Sequence, residues 1–215
     1  MAEWISQEKM TQVLDDLYNK AMNGIAIKGI GGGSCEELAV RYLGKHASTR
    51  AAADDLIGWQ IAKCTTSGFV TSLGGFITLP VAIPANVASV LYVQIRMIGA
   101  LAIMGGYDLR DDEVQTLVYL CLVQSSITDL CKAAGIQVAE KVTVNLLKKI
   151  PGEVLKKINQ KVGFRLVTKF GEKGAVNLVK LVPFAGGIVG GAFDLFGTKR
   201  IADKAKKVFI EGCID

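Results

Sequence analysis

Between residues 3 and 22, Ile5, Met10, Val13, Leu14, Leu17, Tyr18 and Ala21 recur at near-helical spacing, and the stripe stops at Asn23-Gly24. Apolar positions three and four apart share one face of an α-helix, so this pattern predicts an amphipathic helix filling an N-terminal unit, residues 1–24. A glycine-rich loop follows, and then Ser34 and Glu37. That S-x-x-E spacing lets each side chain satisfy the other's backbone donor, which predicts a helix start at 34 and an end near Gly44. A further helix is expected from about Ser48.

The pattern then changes. The 32 residues from 64 to 95 carry no charge, and they hold Pro80 and Pro84. Two prolines four apart do not fit inside one regular helix, because each removes a donor and clashes with the preceding turn. The reading is an apolar helical hairpin over 64–104 with its tip near 78–84 and Pro84 in the first turn of a helix reaching Met104. Asp108, Asp111, Asp112 and Glu113 cluster where the next helix would begin, which suits the positive end of its dipole. Further helices are expected over 135–149, 152–161, 162–170 and 183–211, with Pro151 and glycines at 152, 163, 171 and 174 as breaks. No stretch alternates long enough for a sheet. The expected class is all-α, one compact multi-helix domain with a central apolar hairpin, residues 25–215 packing with the first helix as a single unit.

Composition sharpens this picture at three points. Half of the 215 residues are hydrophobic and the mean hydropathy is +0.35, so some apolar surface is expected to face lipid or a partner. The net charge is +5, yet residues 141–180 hold ten Lys/Arg against two Glu, leaving −3 for the rest. Such a segment attracts anions, although an ordinary solvated helix face has the same look. Five cysteines without a CxxC pair suggest reduced thiols and a cytoplasmic setting, with Cys64, Cys121 and Cys131 expected to be buried. The start of the chain has no secretory pattern.

The order of motifs resembles the EcsC family. The resemblance rests on Gly68-Phe69-Val70-Thr71-Ser72-Leu73-Gly74-Gly75-Phe76-Ile77-Thr78-Leu79-Pro80-Val81-Ala82-Ile83-Pro84-Ala85 followed by Gly105-Gly106-Tyr107-Asp108. It continues in Val162-Gly163-Phe164-Arg165-Leu166-Val167-Thr168-Lys169-Phe170-Gly171-Glu172-Lys173-Gly174, then Lys180-Leu181-Val182-Pro183 and Gly186-Gly187-Ile188-Val189-Gly190-Gly191-Ala192-Phe193-Asp194. The similarity covers about 25–210. It implies a helical protein often associated with bacterial membranes, some relatives being encoded beside an ABC transporter that affects secretion. It implies no defined chemistry.

The residues themselves offer little catalysis. One histidine, His46, lies in a polar stretch, and no H-E-x-x-H, G-x-S-x-G or Cys/His metal spacing occurs. The expectation is no enzyme, no metal and no cofactor. Gly29-x-Gly31-Gly32-Gly33-Ser34 lacks the Gly-Lys-Ser/Thr ending of a P-loop and has no preceding strand, so an interhelical loop is the simpler reading. The acidic pairs Asp15-Asp16, Asp54-Asp55 and Asp111-Asp112 point apart on a helix and suit solvated faces. Gly186, Gly187, Gly190 and Gly191 place small residues four apart for close helix packing. Phenylalanines at 164, 170, 184, 193 and 196 near lysines suit a bilayer interface better than base stacking, so no nucleic-acid partner is expected.

The leading expectation is therefore peripheral docking on the inner face of the membrane. Phe69, Phe76, Ile77, Leu79, Val81 and Ile83 would make the apolar contact, while Lys148, Lys149, Lys156, Lys157, Lys161, Arg165 and Lys169 would meet anionic phospholipid head groups. Full spanning is disfavoured by Asn86, Gln94 and Arg96 within 85–104, the arginine alone costing roughly 2.5–3.5 kcal/mol at the centre of a membrane helix. Arg96 and Asp194, isolated charges in apolar surroundings, are expected to pair and fix how 85–104 meets 183–211. Three other readings fit the same residues: a lipid-binding or transfer module with an internal cavity, an accessory protein of a membrane transporter or secretion system, and a lipid hydrolase.

Overall fold

The computed structural model describes residues 6–26, 33–65, 85–123, 126–135, 149–170 and 186–213, with the side chains of 63–65, 85–86, 127, 169–170 and 186–196 left out. Eight helices and no strand occur among them: α1 (Gln7–Met22), α2 (Cys35–Leu43), α3 (Thr49–Thr65), α4 (Ala85–Met104), α5 (Asp112–Leu122), α6 (Ile127–Ala133), α7 (Gly152–Phe170) and α8 (Gly186–Phe209). The all-α expectation holds.

Local chemistry sets several boundaries. The Ser6 hydroxyl accepts from Lys9 N at 3.2 Å to start α1, whose buried stripe is Met10, Val13, Leu14, Leu17, Tyr18 and Ala21. Gly24 follows at φ +71°, a left-handed turn residue, and a Cβ there would sit 2.9 Å from Ser34 N, so only glycine lets the chain turn this close to α2. The capping box is present: Ser34 Oγ accepts from Glu37 N at 3.1 Å, and Ser34 N donates to Glu37 Oε2 at 3.2 Å.

α4 is the axis of the fold. It packs against α1, α2, α3, α5 and α8, and nearly every side chain from Ala88 to Met104 is buried. A helix that is apolar all round belongs inside. Around it, α1 neighbours α2, α2 neighbours α3, α3 neighbours α8 and α8 neighbours α5. The ring closes where Tyr119 of α5 meets α1, its ring edge-on to Tyr18 at 5.8 Å and its hydroxyl donating to Asp15 at 2.7 Å. α7 lies outside this seam, packed on α1 and α5, with α6 beside it. The N-terminal helix therefore shares one core with the rest.

Directions follow from paired positions. Gln94 donates to Thr198 at 3.1 Å, and Gly105 packs on the Phe209 carbonyl, so α4 and α8 run the same way. Arg50 pairs with Glu211 at 3.0 Å and Asp54 with Lys206, so α3 runs against α8. The end of α3 and the starts of α4 and α8 thus lie at one end of the bundle, where the sequence has almost no charge.

Three expectations change. Residues 152–161 and 162–170 form one continuous helix, because Gly163 is a close-packing position and not a break: a Cβ there would lie 2.8 Å from Thr11 Oγ1 and 3.1 Å from Gln7 O. α6 had no counterpart in the sequence reading. The second arm of the expected hairpin, 85–104, is core: its window Val87–Met104 is long and apolar enough to span a bilayer, yet 83% of it is buried inside the protein.

Candidate functional site

α7 buries Leu155, Ile158, Val162 and Leu166 and presents the opposite face to solvent. Lys156, Lys157, Gln160, Phe164, Arg165 and Thr168 are exposed and Lys161 is half-buried, while Glu153 is the one acid of this helix. At 3.6 residues per turn, Lys157, Lys161, Phe164 and Thr168 fall on one stripe, with Lys156 and Arg165 on either side of Phe164. Phe164 is 54% exposed. An aromatic ring left in water beside lysines forgoes burial worth roughly 1.5–3 kcal/mol, which makes it available to an apolar phase.

The same face borders an open groove of about 410 Å³. Gln7 reaches it from the start of α1, Ala133 and Ala134 from the end of α6, and Lys157, Gln160, Lys161 and Phe164 from α7. Among the described residues no carboxylate lines it. At Gly163, the α1–α7 approach to Gln7 and Thr11 leaves no room for a side chain. The sequence pointed to Lys157, Lys161 and Phe164 but not to Gln7, Ala133, Ala134 or Gln160. A signal for α6 did exist: Ser126-x-x-Asp129, in which the Ser126 hydroxyl accepts from Asp129 N at 3.2 Å.

The other expected residues are scattered. Phe69, Phe76, Ile77, Leu79, Val81, Ile83 and Lys148 lie outside the described residues, as do the side chains of Lys169 and Asp194. Lys149 is exposed just before α7. Gly186, Gly187, Gly190 and Gly191 all lie in the first two turns of α8. Arg96 is 7% exposed, and its Nη2 would stand 3.0 Å from a Cβ on Gly33, so it reaches the start of α2. Gln94, which meets α8, is about 200° away around α4. The Asp194 side chain lies outside the described residues, and the expected Arg96–Asp194 pairing with it.

The titratable residues read as structural. Burial pushes the thiols of Cys35 and Cys121 up to about 12, against the pull of Arg96 in one case and Lys204 in the other. Cys131 is buried too, Cys213 is exposed, and the side chain of Cys64 is not among those described. His46 Nε2 pairs with Asp55 at 2.9 Å, and Asp15 and Asp16 take separate partners, Tyr119 and Lys20. Lys204 donates to the carbonyls of Leu120 and Val123, closing the end of α5. Among the described residues no group of three His, Cys, Asp or Glu could hold a metal.

Compared with known proteins, the chain matches the model of the EcsC protein family over residues 7–210. It belongs to the EcsC family. No curated protein and no solved structure matches it. The EcsC match begins at Gln7 and so takes in α1, beyond the 25–210 that the motifs outlined. The EcsC region also contains all of α7 and every residue of the groove.

Proposed function

We propose that this EcsC-family protein is a non-enzymatic peripheral membrane protein that docks reversibly on anionic phospholipid surfaces from the cytoplasmic side. What carries the reading is Phe164, exposed at the centre of a helix face whose described neighbours are Lys156, Lys157, Lys161 and Arg165. An amphipathic helix of this kind lies in the head-group plane with its aromatic in the acyl boundary and its cations on the phosphates. Each cation near such a surface contributes about 1 kcal/mol, so four or five give binding that salt reverses. The apolar half of the contact is assigned to the uncharged residues 66–84, which lie between α3 and α4 in the sequence.

Vesicle flotation tests this. The protein should float with vesicles containing anionic lipid at low salt, float poorly at high salt, and stay unbound with neutral vesicles. Glutamate at Lys156, Lys157 and Arg165 together should abolish binding, and Phe164→Ala should weaken it, with melting curves unchanged. Equal flotation under all lipid and salt conditions, or full binding by the triple variant, would refute the reading.

A further inference from the structure

We propose that the groove between the start of α1, the end of α6 and the outer face of α7 recognises a terminal phosphate, the phosphomonoester head group of a membrane lipid, in preference to the phosphodiester of other anionic phospholipids. This rests on the docking reading above and makes it specific.

The argument is one of matching charge and donors. Lys157 and Lys161 are one helical turn apart and line the same groove. Like charges at this spacing repel each other, and an anion seated between them turns the repulsion into attraction to both. Gln160 and Gln7 line it from two different helices and bring neutral amide donors, and among the described residues no acid lines the groove to compete for either lysine. Glu8, one position beyond Gln7, does not reach it.

A phosphomonoester has a second pKa of about 6, so near neutral pH it approaches two negative charges and presents three terminal oxygens. A phosphodiester has one charge and two free oxygens. Two ammonium groups and two amides satisfy the first and are in excess for the second. A volume of about 410 Å³ admits a phosphate with its glycerol ester but not two acyl chains, which stay in the bilayer. Phe164 and the small Ala133 and Ala134 give the groove an apolar side toward those chains.

The test compares vesicles of phosphatidylcholine carrying either phosphatidic acid or phosphatidylglycerol, adjusted to equal surface potential. Binding to phosphatidic acid should be tighter by about tenfold, the scale of one added charge-assisted hydrogen bond. Lys157→Gln with Lys161→Gln should erase that ratio, whereas Lys156→Gln with Arg165→Gln should weaken both bindings and preserve it; circular dichroism confirms that each variant is folded. Equal binding of the two vesicle types overturns the phosphomonoester assignment and leaves general docking intact. A preference that survives the Lys157/Lys161 change places the site elsewhere and overturns it as well. Binding to neither vesicle overturns the docking reading and this inference together. Calorimetry with inorganic phosphate is the last arm: binding as tight as to phosphatidic acid vesicles would make the ligand a soluble phosphate and overturn the lipid assignment.

Discussion

Tyr119→Phe removes one hydroxyl from the seam that closes the helix ring, and its cost can be worked from the geometry. The Tyr119 ring is fully buried, and its hydroxyl donates to Asp15 Oδ1 at 2.7 Å. Gln115 Nε2 donates to the same oxygen at 3.1 Å and to the Tyr119 hydroxyl at 2.8 Å. A hydrogen bond to a charged acceptor contributes about 1.5–3 kcal/mol net, so the variant should lose about that much at neutral pH. Asp15→Asn keeps an acceptor but removes the charge, so the bond falls to a neutral one contributing about 0.5–1.5 kcal/mol. Asp15 has its pKa raised by burial, with the Tyr119 hydrogen bond pulling it back down. A raised folded-state pKa means the folded protein holds the proton more tightly than the unfolded chain. The associated stability is therefore full below the ordinary value of 3.8 and is lost as pH rises through the raised one. Asp15→Asn should remove this loss, and Tyr119→Phe should deepen it, because the bond that favours the carboxylate is gone. Urea unfolding of the two single variants and the double across the acid range measures both effects. The expected coupling at neutral pH is about 1 kcal/mol or more. Losses that add to within about 0.3 kcal/mol, or wild-type stability rising relative to Asp15→Asn through that window, would refute the argument.

Other outcomes follow from burial and close approach. Gly163→Val should lower stability by about 1–3 kcal/mol in thermal melts, because the new side chain meets Thr11 and the Gln7 carbonyl. Gly58→Ala should raise it by about 0.8–1 kcal/mol, since nothing lies within 4 Å of that position in α3 and alanine is the better helix former. A thiol reagent added to the native protein should modify Cys213 promptly and reach Cys35, Cys121 and Cys131 only on unfolding. Prompt labelling of any of these three would contradict their burial.

Local signals were the legible part of the fold. Helix α4 spans the residues that Pro84 and Gly105 bracket in the sequence, and α2 starts where Ser34 and Glu37 cap each other. These boundaries depend on backbone chemistry within four residues, which a sequence states directly. Gly163 was misread because the same residue type serves two purposes. As a turn residue it supplies conformational freedom, while inside a helix it lets a neighbour approach, and only the neighbour, here Thr11, distinguishes them. The groove was illegible for a similar reason: Gln7, Ala134 and Lys161 are far apart in the chain, and no pairwise pattern in one sequence brings them together.

The apolar run from 64 to 104 shows where hydropathy stops being informative. A helix at the centre of a ring of five has no solvated face, so its sequence must be apolar all round, as a membrane span must be. The internal polar residues separate the two cases. Ser89, Gln94 and Arg96 are buried, and Gln94 meets Thr198 across the α4–α8 contact, as expected of positions that specify how a core helix is seated. Residues so engaged with the fold cannot also face acyl chains without the ring opening. The membrane contact proposed above is therefore left to residues outside this core. Among the described helices, α7 alone combines an apolar inner stripe, an exposed aromatic and a surplus of cations on its outer face. On the proposed docking, the membrane-facing role in this EcsC chain therefore falls to one of its more polar helices and not to its most hydrophobic one.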